Sequence, residues 1–184
     1  ASVKPYQPDG IWEVATSGRG VLAEYVQDHG DDLYRRGMYT FIKRTVPPPS
    51  MLMFDASNRD QCEVQRLNTN TPLQALIMLN DPHVLEASRV LAENLVADSN
   101  SIEEKIELAF QKIICRKITS DEKDLLTNYY QEELTHFQNN EAAAKDLLSI
   151  GEYEQSESLE QAQVAAMMQV VHTIYNMEEA IMKT

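Results

Sequence analysis

The chain has 184 residues, an apolar fraction of 43% and 29 acidic against 16 basic side chains, for a net charge of −13. A chain of that length buries roughly 70% of the surface it exposes when unfolded, so its core needs neither a metal nor a disulfide. No apolar run approaches the ~20 residues of a membrane-spanning helix, and so acidic a chain is ill suited to nucleic acid, whose phosphates require a basic face.

The charge is unevenly distributed. Residues 1–70 hold eight Lys or Arg and nine Asp or Glu, a net of −1, whereas residues 71–184 hold eight and twenty, a net of −12. The acidic part reads as a solvated helical surface. The sequence opens Ala-Ser-Val-Lys with no initiator Met and no signal-peptide pattern, which points to an expressed or processed fragment from which targeting signals have been removed.

Residues 1–30 carry Pro5, Pro8, Gly10, Gly18, Gly20 and Gly30 without a sustained helical period. They predict an irregular arm with one short turn at 10–14. Residues 31–184 read as one helical domain. Its first helix is expected from Asp31, with Leu33, Tyr34, Met38, Phe41 and Ile42 on one side. Pro47-Pro48-Pro49 is expected to stop it, since three rings cannot donate helical hydrogen bonds. Residues 50–70, rich in Asn and Asp, read as irregular again.

Helix starts then become explicit. Thr71, Pro72 and Gln74 occupy N-cap, N1 and N3 of a helix reaching about Asn80. Asp81-Pro82 opens the next, to about Val96. Ser101 with Glu104, Thr119 with Glu122 and Ser158 with Gln161 repeat the capping-box spacing, and a shorter helix is expected over 141–149, closed by Gly151. Apolar stripes follow those starts: Ile102, Ile106, Ala109, Phe110, Ile113 and Ile114; then Leu125, Leu126, Tyr129, Tyr130, Leu134 and Phe137; then Ala162, Ala165, Ala166, Val170, Ile174, Tyr175 and Ile181. The expected fold is all-α, an irregular Pro/Gly-rich arm followed by a bundle of about six to seven helices.

The densest run of unusual residues lies between 34 and 82. Arg35, Arg36, Lys43 and Arg44 sit two turns apart on the expected short helix, so they can form one cationic stripe. Such a stripe suits a carboxylate, a sulfate ester or an acidic domain, or it pairs with the acidic helices of the same chain. Asp55, Asn58 and Arg59 lie in a polar loop. There Asp55 is either a general base or metal ligand held ionised by Arg59, or half of a structural clasp. Asp28, His29, Asp31 and Asp32 offer carboxylates and an imidazole for a divalent cation without the alternating spacing of an EF-hand. Asp31 and Asp32 serve equally as acids at a helix N-terminus.

His83, His136 and His172 stand isolated. No nucleophile elbow, phosphate-binding loop or dinucleotide fingerprint is present. Cys62 and Cys115 form no CxxC or CxxCH, which excludes a zinc ribbon and a covalently attached haem within these residues. From the residues alone they are either one disulfide or two free thiols. Trp12, the one tryptophan, either pins the arm or joins exposed tyrosines in a flat sugar-binding platform.

Several strings are too specific for helix packing alone: SVKPYQP (2–8), GIWE (10–13), YVQDHGDDLYRRGMYTFIKRTVPPPSMLMFDASNRDQC (25–62) and TNTPLQALIMLNDP (69–82). Through them the chain resembles the planctomycete-specific domain-one family, a domain of unknown function. The resemblance is strong over residues 2–92 and looser through CRKITSDE (115–122), LLSIGE (147–152) and IYNMEEAIMK (174–183). It implies a periplasmic or extracellular parent and a partner in the upstream domain. It also implies a planctomycete-type cytochrome c domain, hence haem, ahead of this one, and no cofactor within these residues. The family pattern usually has another residue near Cys115, which argues against a Cys62–Cys115 bridge. Two functions are therefore expected: an interaction or scaffolding module, or an incomplete part of a redox or carbohydrate-related enzyme whose site the upstream region completes.

Overall fold

Local side-chain chemistry decides where most helices begin. A computed structural model describes residues 1–17, 19–20, 22–57, 64–65 and 69–182. Among them are nine α-helices, two 3₁₀ turns and no β-strand, so the chain is all-α as expected. It divides into two compact units, Ala1–Ile77 and Met78–Thr184.

In the first unit, α1 (Ile11–Thr16) begins after Gly10, whose φ of 77° is the left-handed region that glycine enters without strain. The helix expected from Asp31 does not form. Two 3₁₀ turns, Gly30–Tyr34 and Gly37–Tyr39, take its place. The backbone beyond them is claimed by the arm: the Val3 N–H donates to the Tyr39 carbonyl at 2.9 Å and the Phe41 N–H to the Val3 carbonyl at 2.8 Å. A helix over 31–46 would need those same groups. The proline run, expected only to stop a helix, also starts one. Pro49 stands at the first position of α2 (Pro49–Met53), where its missing N–H costs nothing. Part of the stretch expected to be irregular is therefore helical.

Helix α3 (Pro72–Asn80) opens on a reciprocal cap, with the Thr71 N–H donating to Gln74 Oε1 at 3.1 Å and the Gln74 N–H to Thr71 Oγ1 at 3.4 Å. In the second unit, Asp81 caps α4 (Pro82–Ala97) by accepting the His83 N–H at 2.9 Å. Burial raises the Asp81 carboxyl, but the bonds from the His83 ring and backbone outweigh it and hold the group below its usual range. Ser101 with Glu104 and Thr119 with Glu122 close full capping boxes on α5 (Ile102–Ile114) and α6 (Ser120–Asn139). After α7 (Glu141–Leu148), α8 (Gln161–Tyr175) departs from its expected start. Glu160, not Ser158, is its N-cap and makes no side-chain capping bond.

α8 is the centre of the second unit. It packs against α4, α5, α6 and α7, and α9 (Glu178–Ile181) lies against α5 and α8. The sequence suggests an apolar stripe on α8, but the helix is buried nearly all round, from Val164 to Ile174. A helix with neighbours on every side has no solvent face to keep polar. Phe110, Ile106, Leu95 and Tyr130 complete the core around it.

Arg116 ties the rim of this unit. Its guanidinium lies 4.7 Å over the Phe110 ring and donates to Glu122 at 2.7 Å and to Glu179 at 2.7 Å. The Arg116 hydrogen bond first, and the Thr119 N–H second, push the Glu122 carboxyl from 4.5 down to about 2. A folded-state value below the unfolded one means that Glu122 contributes stability above about pH 4.5. That contribution disappears as pH falls to about 2. Denaturant titrations across this window should show a steeper acid loss in the native sequence than in Glu122→Gln, which has no carboxyl to protonate.

Candidate functional site

The strings between residues 2 and 44 fold onto one another. The Lys4 N–H donates to Asp28 Oδ2 at 2.7 Å, while the Asp28 N–H returns a bond to the Lys4 carbonyl at 2.9 Å. The Tyr25 hydroxyl donates to the Pro5 carbonyl, and the Tyr25 N–H donates to Glu13 Oε1 at 3.1 Å. Burial, aided by the Asp28 charge, pushes the Tyr25 phenol above its ordinary value, so it remains a donor.

Trp12 is the hub. It is 1% exposed, with the Tyr25 ring edge-on at 5.0 Å, the Phe41 ring at 5.8 Å and Lys43 Nζ 4.5 Å above its own ring. Burial removes it as a sugar-binding platform and leaves it as the pin of the arm.

This stitching breaks the expected cationic stripe. Lys43 Nζ donates to the Leu22 carbonyl at 2.6 Å. Arg35 pairs with Asp32 at 3.8 Å and stacks over Tyr39 at 4.4 Å. Arg36 and Arg44 are exposed. Without a common helix, no helical register holds the four cations in a stripe. An exposed ridge stands in its place at 34–39, where Tyr34 is 45%, Met38 63% and Tyr39 37% exposed beside exposed Arg35 and Arg36.

In the polar loop Asp55 meets Thr69 and, through it, Gln74. Asp55, at a left-handed φ of 53°, accepts the Thr69 N–H at 2.9 Å and the Thr69 hydroxyl at 2.7 Å, both on Oδ2. Gln74, 2% exposed, extends the knot: its Nε2 donates to the Met53 carbonyl at 2.7 Å and to Thr69 Oγ1 at 3.0 Å. Asn58, Arg59 and Cys62 lie outside the described residues. Of the cation candidates, Asp28 is spent on Lys4 and Asp32 on Arg35, while His29 and Asp31 are exposed. Among the described residues no three His, Cys, Asp or Glu side chains form a metal-holding group.

Sequence reasoning passed over a buried charge cluster in the second unit. Arg89 of α4 is fully buried; it donates to Glu93 at 2.7 Å and to the Tyr153 carbonyl at 2.6 Å, with Glu86 at 4.0 Å. Glu86, 3% exposed, accepts the Tyr153 N–H at 2.6 Å. The available signal was a cation in the apolar stripe of α4, one turn before Ala92. Elsewhere in this unit His172 is buried with Nε2 3.0 Å from the Met78 carbonyl, an orphan acceptor near a helix end. Leu125, Asn128, Tyr129 and Glu132 of α6, with Thr173 of α8, line an open depression of about 620 Å³. Cys115 is a free, exposed thiol.

Residues 1–130 match the model of the family described as PSD1, protein of unknown function (DUF1553). The chain belongs to this family. No curated protein and no solved structure matches it. The DUF1553 span takes in the whole Trp12-centred unit, the Asp55–Thr69–Gln74 knot, Glu86 and Arg89, and ends within α6. The strings that mark the chain as DUF1553 are thus used largely to hold one another, which is a structural use of specific residues.

Proposed function

We propose that this DUF1553 chain is an interaction module that docks its ridge at 34–39 onto the preceding domain of its parent protein. One observation carries the reading: a short, stitched segment holds Tyr34, Met38 and Tyr39 in solvent with two arginines beside them. Tyr, Met and Arg are enriched in the cores of protein interfaces and Tyr and Arg among their hot spots, and a ridge held in advance loses little entropy on docking. Leu73 and Leu76, at 55% and 56% exposure and one turn apart on α3, add apolar surface in the same unit.

The test mixes this chain with the separately expressed upstream domain. A complex in the micromolar range is expected, and Arg36→Glu with Met38→Asp should weaken it by about tenfold or more, as loss of a hot spot does. If both pieces fold and no complex forms at high micromolar concentration, the reading fails. On the same proposal the parent is exported and carries a haem domain ahead of this one, as the family resemblance implies. Fractionation and haem staining of the full-length parent check both points.

A further inference from the structure

We propose that residues 149–160 form a strap that opens as a unit while the helices stay folded, with Glu86 and Arg89 as its latch. Residues 152–158 are all exposed and belong to no helix. The latch grips main chain: Glu86 takes the N–H of Tyr153 and Arg89 its carbonyl, both at 2.6 Å, while the Tyr153 side chain stays 51% exposed. Two residues earlier Gly151 passes so close that a Cβ there would lie 2.2 Å from Glu86 Oε1, at a φ of +89° that L side chains rarely adopt. The strap seats through these two hydrogen bonds to a charged pair and the glycine-width gap, with the Gln155 amide donating to the Leu148 carbonyl at 2.6 Å and Leu159 packed against the core at its far end.

Closure has a cost that opening relieves. The closed strap holds one guanidinium and two carboxylates, Glu86 and Glu93, away from water, and the Arg89 Nε–H is buried with no acceptor. Desolvating such a group is expensive even when it is paired, and an unmet buried donor adds to the expense. Opening hydrates all three charges and the orphan N–H at once. The segment itself adds Glu152, Glu154, Glu157 and Glu160, like charges that favour the open state. α8, whose buried residues are apolar apart from His172, offers no comparable relief. The strap thus belongs to the low-stability end of the fold.

Native-state hydrogen exchange on the whole chain tests this. The Tyr153 amide should exchange through local opening, at least about tenfold faster than the slowest amides of α8. Gly151→Ala should speed exchange at Tyr153 and its neighbours by a further tenfold or so, the order of one charge-assisted hydrogen bond lost, while Tyr153 stays at least about tenfold faster than the slowest α8 amides. Arg89→Met, which leaves Gly151 in place, should do the same if Gly151→Ala proves too poorly folded to read. The proposal is overturned if Tyr153 exchanges at the rate of the slowest α8 amides in the native sequence. It is also overturned if Tyr153 and the slowest α8 amides exchange at one rate in either variant, since the segment then opens only by global unfolding, or if neither variant speeds Tyr153, since the pair then does not latch it.

Discussion

Phe110→Ala should lower the unfolding free energy of the Met78–Thr184 unit by about 3–5 kcal/mol, measured by denaturant titration followed by helical circular dichroism. The Phe110 ring is 0% exposed and sits in the cluster built around α8. Deleting it removes the transfer energy of a phenyl group and leaves a void that close-packed helices fill only in part. Its outer face also carries Arg116 at 4.7 Å, so the guanidinium that joins Glu122 and Glu179 loses its platform. Phe110→Leu keeps most of the volume and should cost less than half as much. A loss below about 1 kcal/mol for the alanine variant would mean that the core rearranges around the void.

The second large effect is expected in the other unit, at Trp12. Trp12→Ala should cost about 3–5 kcal/mol, because the indole is the common neighbour of Tyr25, Phe41 and Lys43. Trp12→Phe should cost much less, for a reason beyond size. The indole N–H is buried with no acceptor, and an unmet donor of that kind is worth about 1–3 kcal/mol against the fold. Phenylalanine retains an aromatic face for Lys43 and removes the orphan donor, so part of the lost packing is offset. Thermal unfolding followed by the near-ultraviolet signal of the tyrosines reads both variants without relying on the tryptophan.

Helix starts were legible because their signals are local. Thr71 with Gln74, Ser101 with Glu104 and Thr119 with Glu122 complete their boxes within four residues. The same spacing misled at Ser158, where the chain instead enters α8 through Glu160. The 31–46 segment was misread because its competitor is distant in sequence: Val3 takes the backbone of Tyr39 and Phe41 across almost forty residues of chain. The cationic stripe was expected from the register of that helix, which does not form. At Asp55 the expected partner, Arg59, lies outside the described residues, while the N–H and hydroxyl of Thr69 answer one carboxylate oxygen, a contact fourteen residues away that no local pattern carries. The Glu86–Arg89 latch reaches across more than sixty residues to Tyr153, and no local pattern carries such a contact.

The all-round burial of α8 bears on how the unit is made. Its largest partner, α4, ends at Ala97, and α8 does not begin until Gln161. On a translating ribosome the faces of α4, α5, α6 and α7 that meet α8 must wait uncovered until the chain through Tyr175 has emerged, even where those helices already touch one another. Contacts so far apart in sequence slow folding and lengthen the life of exposed apolar surface. Nascent chains halted before residue 161 should therefore stay protease-sensitive and bind chaperones, and acquire protection abruptly once α8 is complete. The helix on which α4, α5, α6 and α7 all pack is also the one the growing chain supplies after those four.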